Sequence, residues 1–288
     1  ERSPVVVLAG CPGAVEAHSW LALHHQVRHV DSQLRVFAEI TCDQVRLDDP
    51  ATAPALIARA LRSCREFSQP VLVEIPRDLA EREMGAVPML PPSPFVQAAV
   101  DECAREWLAR IQAAERPVLM PGVEVRRFGI EAEVAELARR LALPVLTTFM
   151  GRGLLADAGL PCHATYLGVA GDPAISDLLD KSDLPVMLGL IQSDSNFGIA
   201  GERIDFRRAL VASHREARIG HAVYHDIPLP ALVRALLDQL PASDRTRLAD
   251  LPRPGYPPGL QDDDAALTAG DLARGLNDRI HAHGAFPV

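Results

Sequence analysis

Cysteine is scarce in this chain of 288 residues. The five present (Cys11, Cys42, Cys64, Cys103 and Cys162) are odd in number, scattered, and form no C-x-x-C pair. That spacing excludes a disulfide framework or a zinc site and fits a reducing, cytoplasmic setting. Long hydrophobic runs are also missing. Runs such as PVVVLAG at 4–10 and PVLVEI at 70–75 fall far below the roughly 20 residues that span a bilayer. No block of basic residues occurs either: Lys and Arg number 29 against 38 Asp and Glu, the formal net charge is −9, and the pI is about 5.6. Such a chain has no face for a phosphate backbone, so nucleic acid is not an expected partner. The chain opens at Glu1 without Met, a charged start or a cleavage site, and so reads as cut rather than processed. What is present is ordinary for a globular protein: 48% hydrophobic and 23% charged residues, enough for two domains.

Two proline-rich stretches divide the chain. Between Pro76 and Phe95 there are five prolines, which fix φ and remove donors, so no regular element can run through. From Pro241 onward come Pro252, Pro254, Pro257 and Pro258 and then the acidic QDDD at 261–264, again too broken for a core. The expected organisation is a first α/β portion at 1–78, a linker at 79–95, a middle domain at 96–240, a second linker at 241–266 and the opening of a third domain at 267–288. In the first portion, PVVVLAG and PVLVEI have the β-branched character of buried parallel strands. Between them, Leu56, Ile57, Ala60, Leu61 and Cys64 share one helical face.

The middle domain alternates more completely. Val100, Ala104, Trp107, Leu108 and Ile111 form a helical stripe, as do Ile130, Val134, Leu137 and Leu141, and Leu229, Leu232, Val233, Leu236, Leu237 and Leu240. PVLMPGV at 117–123, PVLTTFM at 144–150, LPVMLGLI at 184–191 and RALVAS at 208–213 read as strands. Strands alternating with helices predict a Rossmann-like, doubly wound parallel sheet, preceded by part of a second α/β domain. After the second linker, Leu272, Leu276 and Ile280 mark one amphipathic helix.

Several residues bear on chemistry. GRGLLA at 151–156 is G-x-G-x-x-A after a strand, with Asp172 about 20 residues on, the spacing of a dinucleotide fingerprint. A fingerprint must open a helix whose N–H groups face the pyrophosphate, and Gly159 and Pro161 break any helix there, so a plain glycine turn is the preferred reading and no NAD is expected. His24 and His25 are adjacent, against about 0.3 such pairs by chance for ten histidines. They are either one core and one solvent imidazole on a strand, or proton donors aimed into a pocket near pH 7. SDSNF at 193–197 follows a strand, where α/β folds place ligands, but an Asx turn explains it as well. Arg77 and Asp78 have a similar plain reading, with Asp78 capping a short helix in AEREM. Met120, Phe149 and Met150 are core candidates.

In order, the strings SPVVVLAG, LHHQ, VFAEIT, PVLVEIPRDL, PVLMPGVEVRRFG, PVLTTFMGRGLL and SDSNF resemble thiamine-diphosphate-dependent 2-oxo-acid decarboxylases over nearly the whole chain, most closely the bacterial phenylpyruvate/indolepyruvate type. PVLVEIPRD is typical of the wider superfamily, the HH pair narrows it, and VEVRRFG with TTFMGRGLL points to the aryl-pyruvate branch. The resemblance implies a lyase that converts an aromatic 2-oxo acid to an aldehyde and CO₂. It also implies a homodimer or homotetramer of three-domain chains that use thiamine diphosphate and Mg²⁺. On that template the chain carries the second half of the pyrimidine-binding domain, the whole central domain and the first helix of the diphosphate-binding domain. The family's catalytic glutamate and its GDG…N motif match no position here, so no cofactor-binding or metal-ligating residue is assigned and the piece alone is expected to be inactive. His24 and His25 match the family's HH pair and are the expected catalytic residues, for the charge of the departing carboxylate and for protonating the enamine. Val27 departs from the Gly expected after HHQ and stiffens the turn. The readings that compete are a non-catalytic nucleotide-binding module, a structural fragment that binds no ligand, and another superfamily member such as an acetolactate-synthase-like enzyme.

Overall fold

The computed structural model describes residues 3–19, 23, 28–160, 164–197, 204–240, 258–261 and 263–283. They fall into two units, 1–249 and 250–288. The first unit begins with a three-stranded parallel sheet of order β1-β3-β2, built from β1 (Val6–Cys11), β2 (Asp43–Arg46) and β3 (Val71–Pro76). The short helices α1 (Ala14–Ala17) and α2 (Ser32–Ala38) lie between β1 and β2, and α3 (Ala53–Phe67) connects β2 to β3. VLVEIP runs down the centre of this sheet and is buried along almost its whole length, as a strand with neighbours on both sides must be. Pro54 opens α3 at its first turn, where no N–H is needed. Ser68, left-handed at φ 50°, closes it by donating its N–H to Cys64 O. Ala60 and Cys64 face the core as the stripe predicts, with Leu56 and Ile57 packed beside them, and Ala53 joins them. Leu61 does not: it is 37% exposed. β1 stands at the edge of the sheet, with Val6 and Leu8 exposed.

After residues 80–96, which form no helix or strand, the second sheet is assembled. Its elements in order are α4 (Gln97–Ala113), β4 (Pro117–Pro121), α5 (Val123–Arg127), α6 (Glu131–Leu141), β5 (Leu146–Thr148), β6 (Ala164–Tyr166), α7 (Pro173–Asp180), β7 (Leu184–Leu188), α8 (Asp194–Phe197), β8 (Leu210–Ser213), β9 (Glu216–Ile219), β10 (Ala222–His225) and α9 (Leu229–Gln239). The order β10-β9-β8-β7-β4 continues into the parallel pair β5-β6 through the bridge Leu119↔Val145. β5 and β6 step away from β4 in one direction, while β7 and β8 step away in the other. This is the doubly wound parallel arrangement expected, with an antiparallel edge at β9 and β10 that the sequence reading missed.

The two faces of this sheet fill two cores. Leu119, Val186, Leu188, Leu210 and Ala212 point to one face with Trp107 and the α6 and α9 stripes. Val118, Met120, Met187 and Val211 point to the other with Tyr166 and Phe197. Alternate residues of one strand thus enter opposite cores, which is why these strands read as continuous apolar runs. Each fully buried Leu, Val or Met contributes about 1.5–3 kcal/mol by leaving water. Met120 is core as expected and Met150 is half-buried, but Phe149 is 52% exposed and has the Arg152 guanidinium 4.5 Å above its ring. A 3₁₀ turn at the carboxyl end of β5 swings it out of the strand.

The second unit contains α10 (Ala269–His283). Thr268 and Asp271 cap it reciprocally, Asp271 N–H donating to Thr268 Oγ1 at 3.2 Å and Thr268 N–H to Asp271 Oδ2 at 3.0 Å. Its predicted apolar stripe, Leu272, Leu276 and Ile280, is exposed. No helix among the described residues is long and apolar enough to cross a membrane.

Candidate functional site

In parallel sheets the loops at the carboxyl ends of the strands converge at one edge. At that edge of the first sheet Cys11, Arg46 and Pro76 end their strands. His24 and His25 belong to the connection between α1 and α2, and both lie outside the described residues. Asp78 Oδ2 accepts the N–H of Ala14, the first residue of α1, at 3.0 Å, so Asp78 caps α1 across 64 residues of sequence and not the AEREM segment, which forms no helix. Arg77 reaches Glu16 at 2.6 Å, and Arg46 bridges Asp48 at 2.9 Å and the carbonyl of Pro12 at 3.1 Å. Gly13 is required at this point: a Cβ there would stand 2.7 Å from Asp78 Cγ. Ala14, His18, Arg46, Asp48 and Asp78 face a cavity of about 410 Å³.

Beneath this edge lies a residue that the sequence reading passed over. Glu74, in the middle of VLVEIP, is 1% exposed. Its Oε1 accepts from Gln33 Nε2 at 2.8 Å, while its Oε2 has no hydrogen-bond partner among the described residues. A buried carboxylate oxygen left without a donor is costly and is characteristic of functional sites. The available signal was a lone acidic residue in an otherwise apolar strand. Cys11 lies alongside, and burial pushes its thiol up to about 11, so it is not an activated nucleophile.

At the second sheet, the switch point between β4 and β7 is where a Rossmann-like fold would hold a nucleotide. Here it is closed by the chain itself. Gly122 N–H donates to Leu188 O at 2.8 Å and Glu124 N–H to Gly189 O at 3.1 Å, so the donors that open α5 are already used. A Cβ on Gly122 would lie 2.2 Å from Leu190 Cα. GRGLLA leads into turns and not a helix, with Gly153 at φ 72° and Gly159 at φ 71°. Asp172 caps α7 by accepting from Ala174 N at 2.9 Å. In SDSNF, Asn196 is structural, donating to Ile191 O at 2.7 Å and accepting from Met150 N at 3.3 Å, and Phe197 packs on Tyr166 and Phe206. Ser193, Asp194 and Ser195 line a separate polar cavity of about 580 Å³.

Also at this switch point, Glu124 is wholly buried and takes His214 twice: Oε2 accepts the His214 N–H at 3.0 Å, and Oε1 lies 3.1 Å from His214 Nε2. His214 turns the β8–β9 hairpin at φ 57°, a left-handed conformation rare for a residue with a Cβ. The pair holds the hairpin against the carboxyl ends of β4 and β7.

Thiamine diphosphate would need an oxygen ligand set for its metal and a cradle of N–H groups for its diphosphate. Among the described residues no group of three or more His, Cys, Asp and Glu could hold a metal ion. Those residues do not fit the whole group, and no chemical step is derived through it.

Comparison with known proteins places the chain. Residues 104–240 match the family described as thiamine pyrophosphate enzyme, central domain. Over 282 residues the chain is 51% identical to indole-3-pyruvate decarboxylase of Azospirillum brasilense, covering 98% of this chain and 52% of that protein. It is 24% identical over 247 residues to pyruvate decarboxylase of Aspergillus fumigatus (83% of this chain, 43% of that one). To pyruvate decarboxylase isozyme 2 of Saccharomyces cerevisiae it is also 24% identical, over 248 residues (84% and 44%). The chain spans about half the length of the curated relatives it matches. Residues 104–240 of the chain belong to the family of thiamine pyrophosphate enzyme central domains.

Proposed function

We propose that the protein to which this chain belongs decarboxylates an aromatic 2-oxo acid, phenylpyruvate or indole-3-pyruvate, to the aldehyde and CO₂, with thiamine diphosphate and Mg²⁺. The observation that carries this reading is the 51% identity along 98% of the chain to a protein named indole-3-pyruvate decarboxylase. When bound, the cofactor would supply the electron sink for the carbanion that decarboxylation leaves. His24 and His25, in the sequence between α1 and α2, are assigned to the charge of the departing carboxylate and to proton delivery. The parent is read as a cytoplasmic homodimer or homotetramer. Its domain limits are read as 1–78, 96–240 and 267–288, with linkers at 79–95 and 241–266.

Changing His24 or His25 to Ala in the complete enzyme should lower kcat for an aryl pyruvate by about 10² or more, with cofactor affinity little altered. Near-wild-type kcat in both variants would make the pair structural. The 288-residue chain alone is expected neither to bind thiamine diphosphate nor to release CO₂ from phenylpyruvate, because no position in it matches the GDG…N motif. Micromolar binding in calorimetric titration with Mg²⁺ present, or turnover above buffer, would overturn that expectation.

A further inference from the structure

A cavity of about 490 Å³ opens between α3, the segment before α4 and the start of α9. Its size is in the range of small-molecule sites. Leu90, Phe95, Phe128 and Pro230 give it an apolar wall. Arg62 and Arg65 reach it from α3, one helical turn apart, and Arg234 from α9. None of these three arginines makes an ion pair or a hydrogen bond with a described residue.

What sets these three apart is that they converge on one cavity. Acidic side chains outnumber basic ones 38 to 29, and many of the other arginines are ion-paired, among them Arg46, Arg59, Arg110 and Arg140. The one acidic residue on the cavity, Glu66, is occupied in accepting the backbone N–H of Ser93. Arg215, also on the cavity, is engaged by Asp226 at 3.5 Å and by the carbonyl of Pro94 at 3.2 Å. Glu66 keeps its charge, so the cavity carries a net positive charge from the three arginines only partly offset by one carboxylate, and that charge faces an apolar wall.

We propose that this cleft binds a small organic anion with two or more negative charges on an aromatic body, of the nucleoside diphosphate class. Guanidinium groups match phosphate oxygens with paired, charge-assisted hydrogen bonds, and a ring fills the apolar wall. A monocarboxylate would satisfy only one of the three free guanidiniums. NAD also matches poorly, because its diester phosphates carry one charge each and its nicotinamide is cationic. The proposal does not rest on the decarboxylase reading, since its test is binding to this chain and not turnover.

Calorimetric titration of the 288-residue chain with ADP should give saturable micromolar binding that weakens as salt rises. Arg62→Gln with Arg65→Gln, and separately Arg234→Gln, should each weaken it by about tenfold or more while leaving thermal unfolding unchanged. Inorganic pyrophosphate, which lacks the ring, and phenylpyruvate, which carries one charge, should each bind about tenfold more weakly than ADP. Three results overturn the proposal: no saturable ADP binding at millimolar concentration, full ADP affinity in the triple arginine variant, or phenylpyruvate binding as tightly as ADP. If a glutamine variant proves unfolded, the corresponding Arg→Lys variant is used, and wild-type ADP affinity together with wild-type selectivity over pyrophosphate would count against the paired guanidinium contacts.

Discussion

Replacing Glu124 by Ala should be among the most damaging single changes in the central domain. The wild-type carboxylate is 0% exposed and satisfies both the main-chain N–H and the ring of His214, a residue 90 positions away. Removing it leaves the buried His214 N–H without this acceptor and takes the carboxylate away from His214 Nε2, while Nδ1 keeps its contact with Ser213 Oγ at 3.2 Å. Leaving a buried donor unsatisfied costs about 1–3 kcal/mol. The loss should be larger here than for a surface pair, because the contact also holds the left-handed turn at His214, φ 57°, a conformation that costs about 1–3 kcal/mol when nothing enforces it. Glu124→Gln keeps the shape and one acceptor oxygen, so it should cost only about 1–2 kcal/mol. The assay is urea unfolding of the chain followed by far-UV circular dichroism, read as the change in midpoint at constant slope. A Glu124→Ala chain less than about 1 kcal/mol weaker than wild type would refute the reasoning, since it would mean that water or a side-chain shift replaces the carboxylate freely.

Tyr224 donates its hydroxyl to Glu106 Oε2 at 2.7 Å, which raises the phenol to about 12 and lowers the Glu106 carboxyl. The Tyr224 contribution to stability is therefore present below the ordinary phenol value of about 10 and is lost as pH rises through about 12. The Glu106 contribution is present above the ordinary carboxyl range and is lost as pH falls through the depressed value. An ultraviolet titration compared with Tyr224→Phe isolates the phenol, and a Tyr224 midpoint unchanged by Glu106→Gln would contradict the hydrogen bond as its cause. At the β4–β7 switch point, NAD or FAD at micromolar concentration should leave the chain unsaturated, because the Gly122 and Glu124 N–H groups already donate to Leu188 O and Gly189 O. Saturation by either dinucleotide would falsify that account.

Much of the second sheet was legible in the chain itself. β4, β7 and β8 are buried on both faces, so their apolar runs had to be continuous, and α4, α6 and α9 each bury one stripe at helical spacing. Short strands with less burial gave no such signal: β9 and β10 are an antiparallel edge pair, and most of β10 is exposed. Periodicity also misjudged Leu61 and Phe149, because it fixes which residues share a face but not whether the next element covers that face. The family was legible for a different reason, since motif strings survive without any knowledge of packing. His24 and His25 were chosen on that ground alone. Only the tertiary structure decided the long-range partners. Asp78 meets Ala14 across 64 residues, Glu124 meets His214 across 90, and Arg62, Arg65 and Arg234 face one cavity from two helices. A one-dimensional pattern sets the direction in which a side chain leaves its own element. Which distant group it meets, and whether an oxygen such as Glu74 Oε2 is left without a donor, depends on how the elements pack, because hydrogen bonds and ion pairs are made over ångströms of space and not over positions in sequence.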